Sequence, residues 1–170
     1  MAHLVLTVVG DDRPGLVNAL AEQIAAHGGN WERSELAELA GAFAGIVLVS
    51  IPDERVEQIT AALEGLDGML LVTAHGGVAD AEAQAGERLL EVTVLGNDRP
   101  GIVRDVSATI AAHALSIDTF RSRTLEAPMA GGTLFEAVVV FRLPVDTDAA
   151  RVTTALEQLA GEIQVDLTVV

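Results

Sequence analysis

The chain lacks cysteine altogether, and it holds only ten basic residues against 25 acidic ones in 170 positions. Without cysteine there is no disulfide framework, no thiolate nucleophile and no cysteine-based zinc site. The basic residues are all arginine, scattered from Arg13 to Arg151, and the formal net charge is -15. Nucleic-acid affinity rests on neutralising phosphates with Lys and Arg, so direct binding to DNA or RNA is not expected. No apolar run approaches the ~18 residues of a membrane span. The start "MAHLVLTVVGDDRPG" also lacks the basic region and cleavage pattern of a signal peptide, so a cytoplasmic location without membrane attachment is expected.

Familiar catalytic patterns are missing too. There is no Ser-His-Asp arrangement on a strained glycine elbow, no Walker loop and no G-x-G-x-x-G after a strand. The four histidines, His3, His27, His75 and His113, are far apart in sequence with no helical pair among them. That spacing does not suit a metal site. Neither enzyme activity nor a metal or other cofactor is expected. His27 and His113 each stand where a helix ends, and a role bonding free terminal carbonyls is the simpler reading.

What the chain does have is apolar substance and repetition. The apolar share is 50% and the mean hydropathy is +0.40, enough burial to oppose chain entropy. "VVGDDRPGLV" occupies 8–17 and "VLGNDRPGIV" occupies 94–103, an offset of about half the chain. Such an interval points to a duplicated domain rather than a local motif. The expected division is a first domain over 1–76, a linker over 77–87 ("GGVADAEAQAGE" and its surroundings, without a strong period) and a second domain over 88–170.

Within the first half, residues 3–9 form a short β-rich run ended by Gly10. Leu16, Leu20 and Ile24 then recur at helical spacing until "HGGN". "WERSELAEL" suits an edge strand, with helix as a competitor. "AFAGIVLVSI" reads as a central strand buried on both faces, ended by Pro52. Asp53 is placed to cap a helix carrying Val56, Ile59, Leu63 and Leu66, and "MLLVTAH" closes the unit. The second half repeats the order, with the hairpin loop "EAPMAG" and Thr147 as the expected cap of a helix through Val152, Leu156 and Leu159. The fold class is therefore α+β: two ferredoxin-like βαββαβ domains, each a four-stranded antiparallel sheet with two helices on one face. The uncovered face of each sheet should pack on a partner, either the other half or a second copy, and a homodimer is expected.

The repeated loop carries the chemistry. Proline is favoured at the first helical position, which predicts helices beginning at Pro14 and Pro100 with Gly15 and Gly101 in the first turn. First-turn amides lack intrahelical partners and lie at the positive end of the helix dipole, so a carboxylate can settle there. Asp12 and Asp98 could accept from an ammonium group, and the loop would then read the main-chain part of an amino acid. The competing reading is that each aspartate simply caps its helix.

The strand, the Asp-Arg-Pro-Gly loop and the helix ending in "GGN" resemble the ACT domain, an amino-acid-sensing module. "GDDRPGLVNAL" and "RSELAELAGAFAGIVLVS" are similar to the family of glycine cleavage system transcriptional repressors, which consist of tandem ACT domains. The resemblance implies ligand binding at an interface between two units, by the loop after the first strand and by a polar residue opening the second. It thereby names Asp11, Asp12, Gly15, Leu16 and Asn30 in the first half, and Asn97, Asp98, Gly101, Ile102 and Ser116 in the second. Asn30 offers both a donor and an acceptor on a longer arm than Ser116, so the first half is expected to be the better ligand site. The resemblance also implies a small amino acid, glycine or serine, as ligand, and a protein partner such as a transcriptional activator. Two alternatives stand beside this: a ligand-free dimerisation module, and the detached regulatory domain of a metabolic enzyme.

Overall fold

The computed structural model describes residues 1–66, 68–77, 87–127, 131–144, 147–158 and 164–169, with Glu87 and the last six by their backbone alone. The elements run β1 (Ala2–Asp11), α1 (Leu16–Ala26), β2 (Asn30–Leu39), β3 (Ala42–Ile51), α2 (Val56–Glu64), β4 (Leu71–Gly76), β5 (Glu87–Asn97), α3 (Ile102–Ala112), β6 (Ser116–Glu126), β7 (Thr133–Pro144), α4 (Ala149–Glu157) and β8 (Gln164–Val169). The order βαββαβ occurs twice. Two compact units result, Met1–Glu82 and Ala83–Val170. Positions 78–86 of the expected linker, 128–130 of the "EAPMAG" loop and Leu159 lie outside the described residues.

Each unit builds one four-stranded sheet, ordered β2-β3-β1-β4 in the first and β6-β7-β5-β8 in the second. All pairings are antiparallel. This is the α+β, ferredoxin-like arrangement, with β2 and β6 at sheet edges. The alternation of β1 buries Leu4, Leu6 and Val8, and α1 contributes Leu16, Leu20 and Ile24 at helical spacing. Val47, Val49 and Ile51 of β3 join them, as do Ile59 and Leu63 of α2, in one apolar cluster. The second unit matches it with Leu90, Val92 and Val94 against Ile102, Val106 and Ile110.

Several local expectations are corrected. β3 buries Val47, Val49 and Ile51 on its helix-facing side; on the opposite face Ser50 is buried too, but Ile46 is 50% exposed, because the helices cover a single face of the sheet. Asp53 caps no helix. It opens a 3₁₀ turn, Asp53–Arg55, and accepts from the Met1 ammonium at 2.8 Å. The cap of α4 is Asp148 rather than Thr147: its carboxylate accepts from the Ala150 amide at 3.0 Å. Asp148 directly precedes the first helical residue, which brings its carboxylate within reach of the N2 amide.

Helix ends differ between the units at one position. Gly28, after α1, has φ 70, and Ala114, 86 positions on, has φ 57. Both occupy the left-handed conformation that ends many helices, which glycine adopts freely and alanine does not.

Candidate functional site

The helices begin at Leu16 and Ile102, not at Pro14 and Pro100. Gly15 (φ 94, ψ -2) and Gly101 (φ 86, ψ 2) are the residues before them, both left-handed. Proline followed by such a glycine is the pattern of a type II turn, which requires φ > 0 at its third position. In the second unit the turn closes with the Ile102 amide donating to the Arg99 carbonyl at 3.3 Å. The duplicated glycine is thus explained by backbone conformation before any ligand is invoked.

The capping expectation for the aspartates also fails, because the glycine itself stands at the N-cap. No side chain caps α1 or α3. Asp12 and Asp98 are tied through their backbones instead, their amides donating to Gly41 at 2.8 Å and Thr133 at 2.9 Å. These bonds pin each loop to the hairpin beside it and leave both carboxylates exposed. The first intrahelical bonds run from Ala19 to Gly15 at 2.9 Å and from Asp105 to Gly101 at 3.0 Å. Three amides therefore precede the first helical bond in each unit: on Leu16, Val17 and Asn18, and on Ile102, Val103 and Arg104, of which the Ile102 amide already donates to Arg99. They carry the positive end of the helix dipole.

The two loops differ in what holds their arginine, a distinction the sequence reading missed. Arg99 donates to Asp105 Oδ2 at 2.8 Å, and Arg104 meets the same carboxylate at 2.9 Å. Arg99 first, then Arg104, holds the Asp105 carboxyl below its usual range. The first unit has Ala19 where the second has Asp105, and Arg13 reaches the Gly68 carbonyl instead. The mouth of α1 has no acidic residue in its first turn, whereas α3 has Asp105. The repetition of arginine in both copies was the available signal.

Within one unit the named residues do not converge. Asn30 pairs with Ser50 and Ser50 with His3, whereas the loop leaves β1 at Asp11, paired with Ala42. Eight residues of strand separate the His3 and Asp11 levels, about 27 Å at ~3.4 Å per residue. Asn30 and the Asp12 loop are therefore at opposite ends of the sheet. Ser116 is likewise across from Arg142, which pairs with Asp118 at 2.8 Å, far from Asp98. Asp11 lines a cleft with Gly10 and Arg13, and Asn97 ends β5 opposite Leu134.

Both helix-ending histidines bond to the turn before them: His27 Nδ1 to the Gln23 carbonyl at 2.8 Å and His113 Nδ1 to the Thr109 carbonyl at 2.9 Å. A carbonyl only accepts, so each Nδ1 carries the proton. Among the described residues, no group of three or more His, Asp or Glu is placed to hold a metal. No helix there is long and apolar enough to cross a membrane.

Models of the ACT domain match residues 2–76 and again residues 90–161. The chain belongs to the ACT-domain family. This tandem ACT protein is 28% identical over 164 residues to the glycine cleavage system transcriptional repressor of Escherichia coli, covering 95% of this chain and 85% of that one. A solved structure of an unknown protein from Galdieria sulphuraria is 31% identical, with a TM-score of 0.85 and 99% and 98% of the two chains covered. Another, of a candidate glycine cleavage system transcriptional repressor, is 20% identical with a TM-score of 0.73, over 99% and 97% of the chains, and shows the shared fold.

Proposed function

We propose that this tandem ACT protein is a non-enzymatic regulator that binds a small amino acid, glycine or serine, where two ACT units meet, and thereby alters its contact with a protein partner. The observation that carries the reading is the duplicated helix mouth, whose first-turn amides no side chain caps. A ligand carboxylate takes those amides, and the exposed Asp12 carboxylate takes the ammonium. Asn30 and the loop lie at opposite sheet ends, so a site using both draws them from different units. The similarity to the Escherichia coli repressor along nearly the whole chain supports a regulatory role, and a transcriptional activator is the kind of partner it suggests. The net charge of -15 suits a basic protein surface better than nucleic acid.

The helix mouth of the first unit is the better receptor for the carboxylate, since α1 lacks the acidic first-turn residue of α3. Calorimetry of the full chain with each of the twenty amino acids tests the proposal. Glycine or serine should bind, and a ligand at 100 times its dissociation constant should add about 2.7 kcal/mol to the stability of the unit that binds it. Silence for all twenty would leave only the duplicated interaction module.

A further inference from the structure

We infer that the second unit has a ligand site on its helices, away from the helix mouth, which takes the phosphate monoester of a polyhydroxylated compound, a sugar phosphate. The site is a groove of about 520 Å³ where the end of α3 meets α4, lined by His113, Asp148, Arg151, Thr154 and Gln158, with Ala150 and Ala155 as its apolar part. Its volume is within the ~300–1,000 Å³ common for small-molecule pockets. α3 is 11 residues long, so at ~1.5 Å per residue about 16 Å of helix separates His113 from the mouth at Gly101. The groove shares no residue with the site proposed above.

The lining selects one ligand chemistry. Arg151, Thr154 and Gln158 recur at helical spacing on one face of α4, all three are exposed, and none spends its side chain on a protein group among the described residues. Elsewhere the second unit's arginines are engaged, Arg99 and Arg104 on Asp105 and Arg142 on Asp118. A free guanidinium fork with a hydroxyl one turn further on suits a phosphate, whose oxygens accept from both. The rest of the groove mainly accepts. His113 Nδ1 donates to the Thr109 carbonyl, which leaves Nε2 as an acceptor, and Gln158 offers an acceptor beside its donors. Asp148 gives one carboxylate oxygen to the Ala150 amide and keeps the other; its charge turns the phosphate toward Thr154 and suits a hydroxyl at its own end. Acceptors beside an anion site call for hydroxyl donors on the ligand. From Arg151 to Gln158 the stripe covers about 10 Å at ~1.5 Å per residue, the length of a sugar phosphate. With alanine as the only apolar lining, an aliphatic or aromatic ligand finds no surface to cover.

The repeat shows that this chemistry is no by-product of the fold. Matching buried Val152 and Leu156 to buried Ile59 and Leu63 places Gln58, Ala61 and Gly65 where the second unit has Arg151, Thr154 and Gln158. Gln58 is moreover taken by Arg55 at 2.8 Å. The first unit keeps the helix-ending histidine, His27, and none of the stripe.

Calorimetry of the full chain with ribose 5-phosphate, glucose 6-phosphate, the two free sugars and inorganic phosphate tests the site. At least one sugar phosphate should bind, and more tightly than its sugar or inorganic phosphate alone. Arg151→Gln should weaken binding roughly 10- to 100-fold, the loss of a charge-assisted hydrogen bond, and Arg151→Lys should restore part of it. Thr154→Val and Gln158→Ala should each weaken it several-fold. These side chains are exposed, and thermal melts check that the variants stay folded. Gln58→Ala, at the matching position of the first unit, should leave binding unchanged, as should Asp12→Ala, which reads the separate amino-acid site. No heat with either sugar phosphate, binding indifferent to Arg151→Gln, or equal affinity for inorganic phosphate would overturn the inference.

Discussion

Replacing Gly15 by alanine separates the backbone role of the repeated glycine from any role in ligand approach. A Cβ built at Gly15 meets nothing within 4 Å, so the substitution makes no clash and its energetic cost lies in the backbone. Holding an L-residue left-handed costs about 1–2 kcal/mol. Alanine also restricts the unfolded chain, which returns about 0.4–1 kcal/mol. The expected net loss is about 1 kcal/mol. Ala114→Gly is the opposite experiment in the same protein: an alanine already at φ 57 is relieved, and a gain of about 1 kcal/mol is expected by the same reasoning. Urea denaturation, with the slope checked for constancy, reads both values. In a thermal melt each should move the transition of its own unit by about 4–8 °C, the usual effect for a domain of ~80 residues. A Gly15→Ala protein as stable as the parent, or an Ala114→Gly protein less stable, would refute the argument from left-handed geometry.

Three further outcomes are expected. Asp12→Ala should weaken glycine or serine binding in calorimetry more than Asp98→Ala does, and equal losses would contradict the asymmetry drawn from Asp105. Asp105→Asn should flatten the acid side of the second unit's stability profile: its carboxyl is held low by Arg99 and then Arg104, so the stabilisation is present above the unfolded value of about 3.9 and fades as pH falls through the lower folded value. Melts at pH 2–5 check it, and unchanged curvature counts against the pairing. Gly10→Ala should destabilise the first unit by about 1–3 kcal/mol, because the new methyl meets backbone at Met69 and not a yielding side chain; a neutral result in denaturation would show that this backbone shifts easily.

The duplication was legible because it is a matter of spacing: two ten-residue stretches with the same Asp, Arg, Pro and Gly announce a repeated unit, and apolar periods of about two and 3.6 supply the strands and helices between. Helix starts were less legible. Pro14 and Pro100 suited the first helical position, but a following glycine that enters φ > 0 turns the same dipeptide into a type II turn, and only the backbone distinguishes the outcomes. Capping showed the same limit: Asp148 and Thr147 are adjacent and both acceptable, and reach decided between them. The Arg13 and Arg99 partners were hidden because they depend on residues elsewhere in the chain, Gly68 in one unit and Asp105 in the other. The opposite placement of Asn30 and the loop follows from strand register, which sequence spacing alone does not report.

That register has a thermodynamic corollary. On the function proposed above, a receptor assembled from the Asp12 loop of one unit and the Asn30 end of another would exist only while the two units are held together, so the metabolite and the association would be reciprocal effectors. Whatever factor by which ligand tightens the pairing, pairing must tighten the ligand by the same factor. Occupancy of the proposed site would then report the state of assembly as well as the concentration of the metabolite.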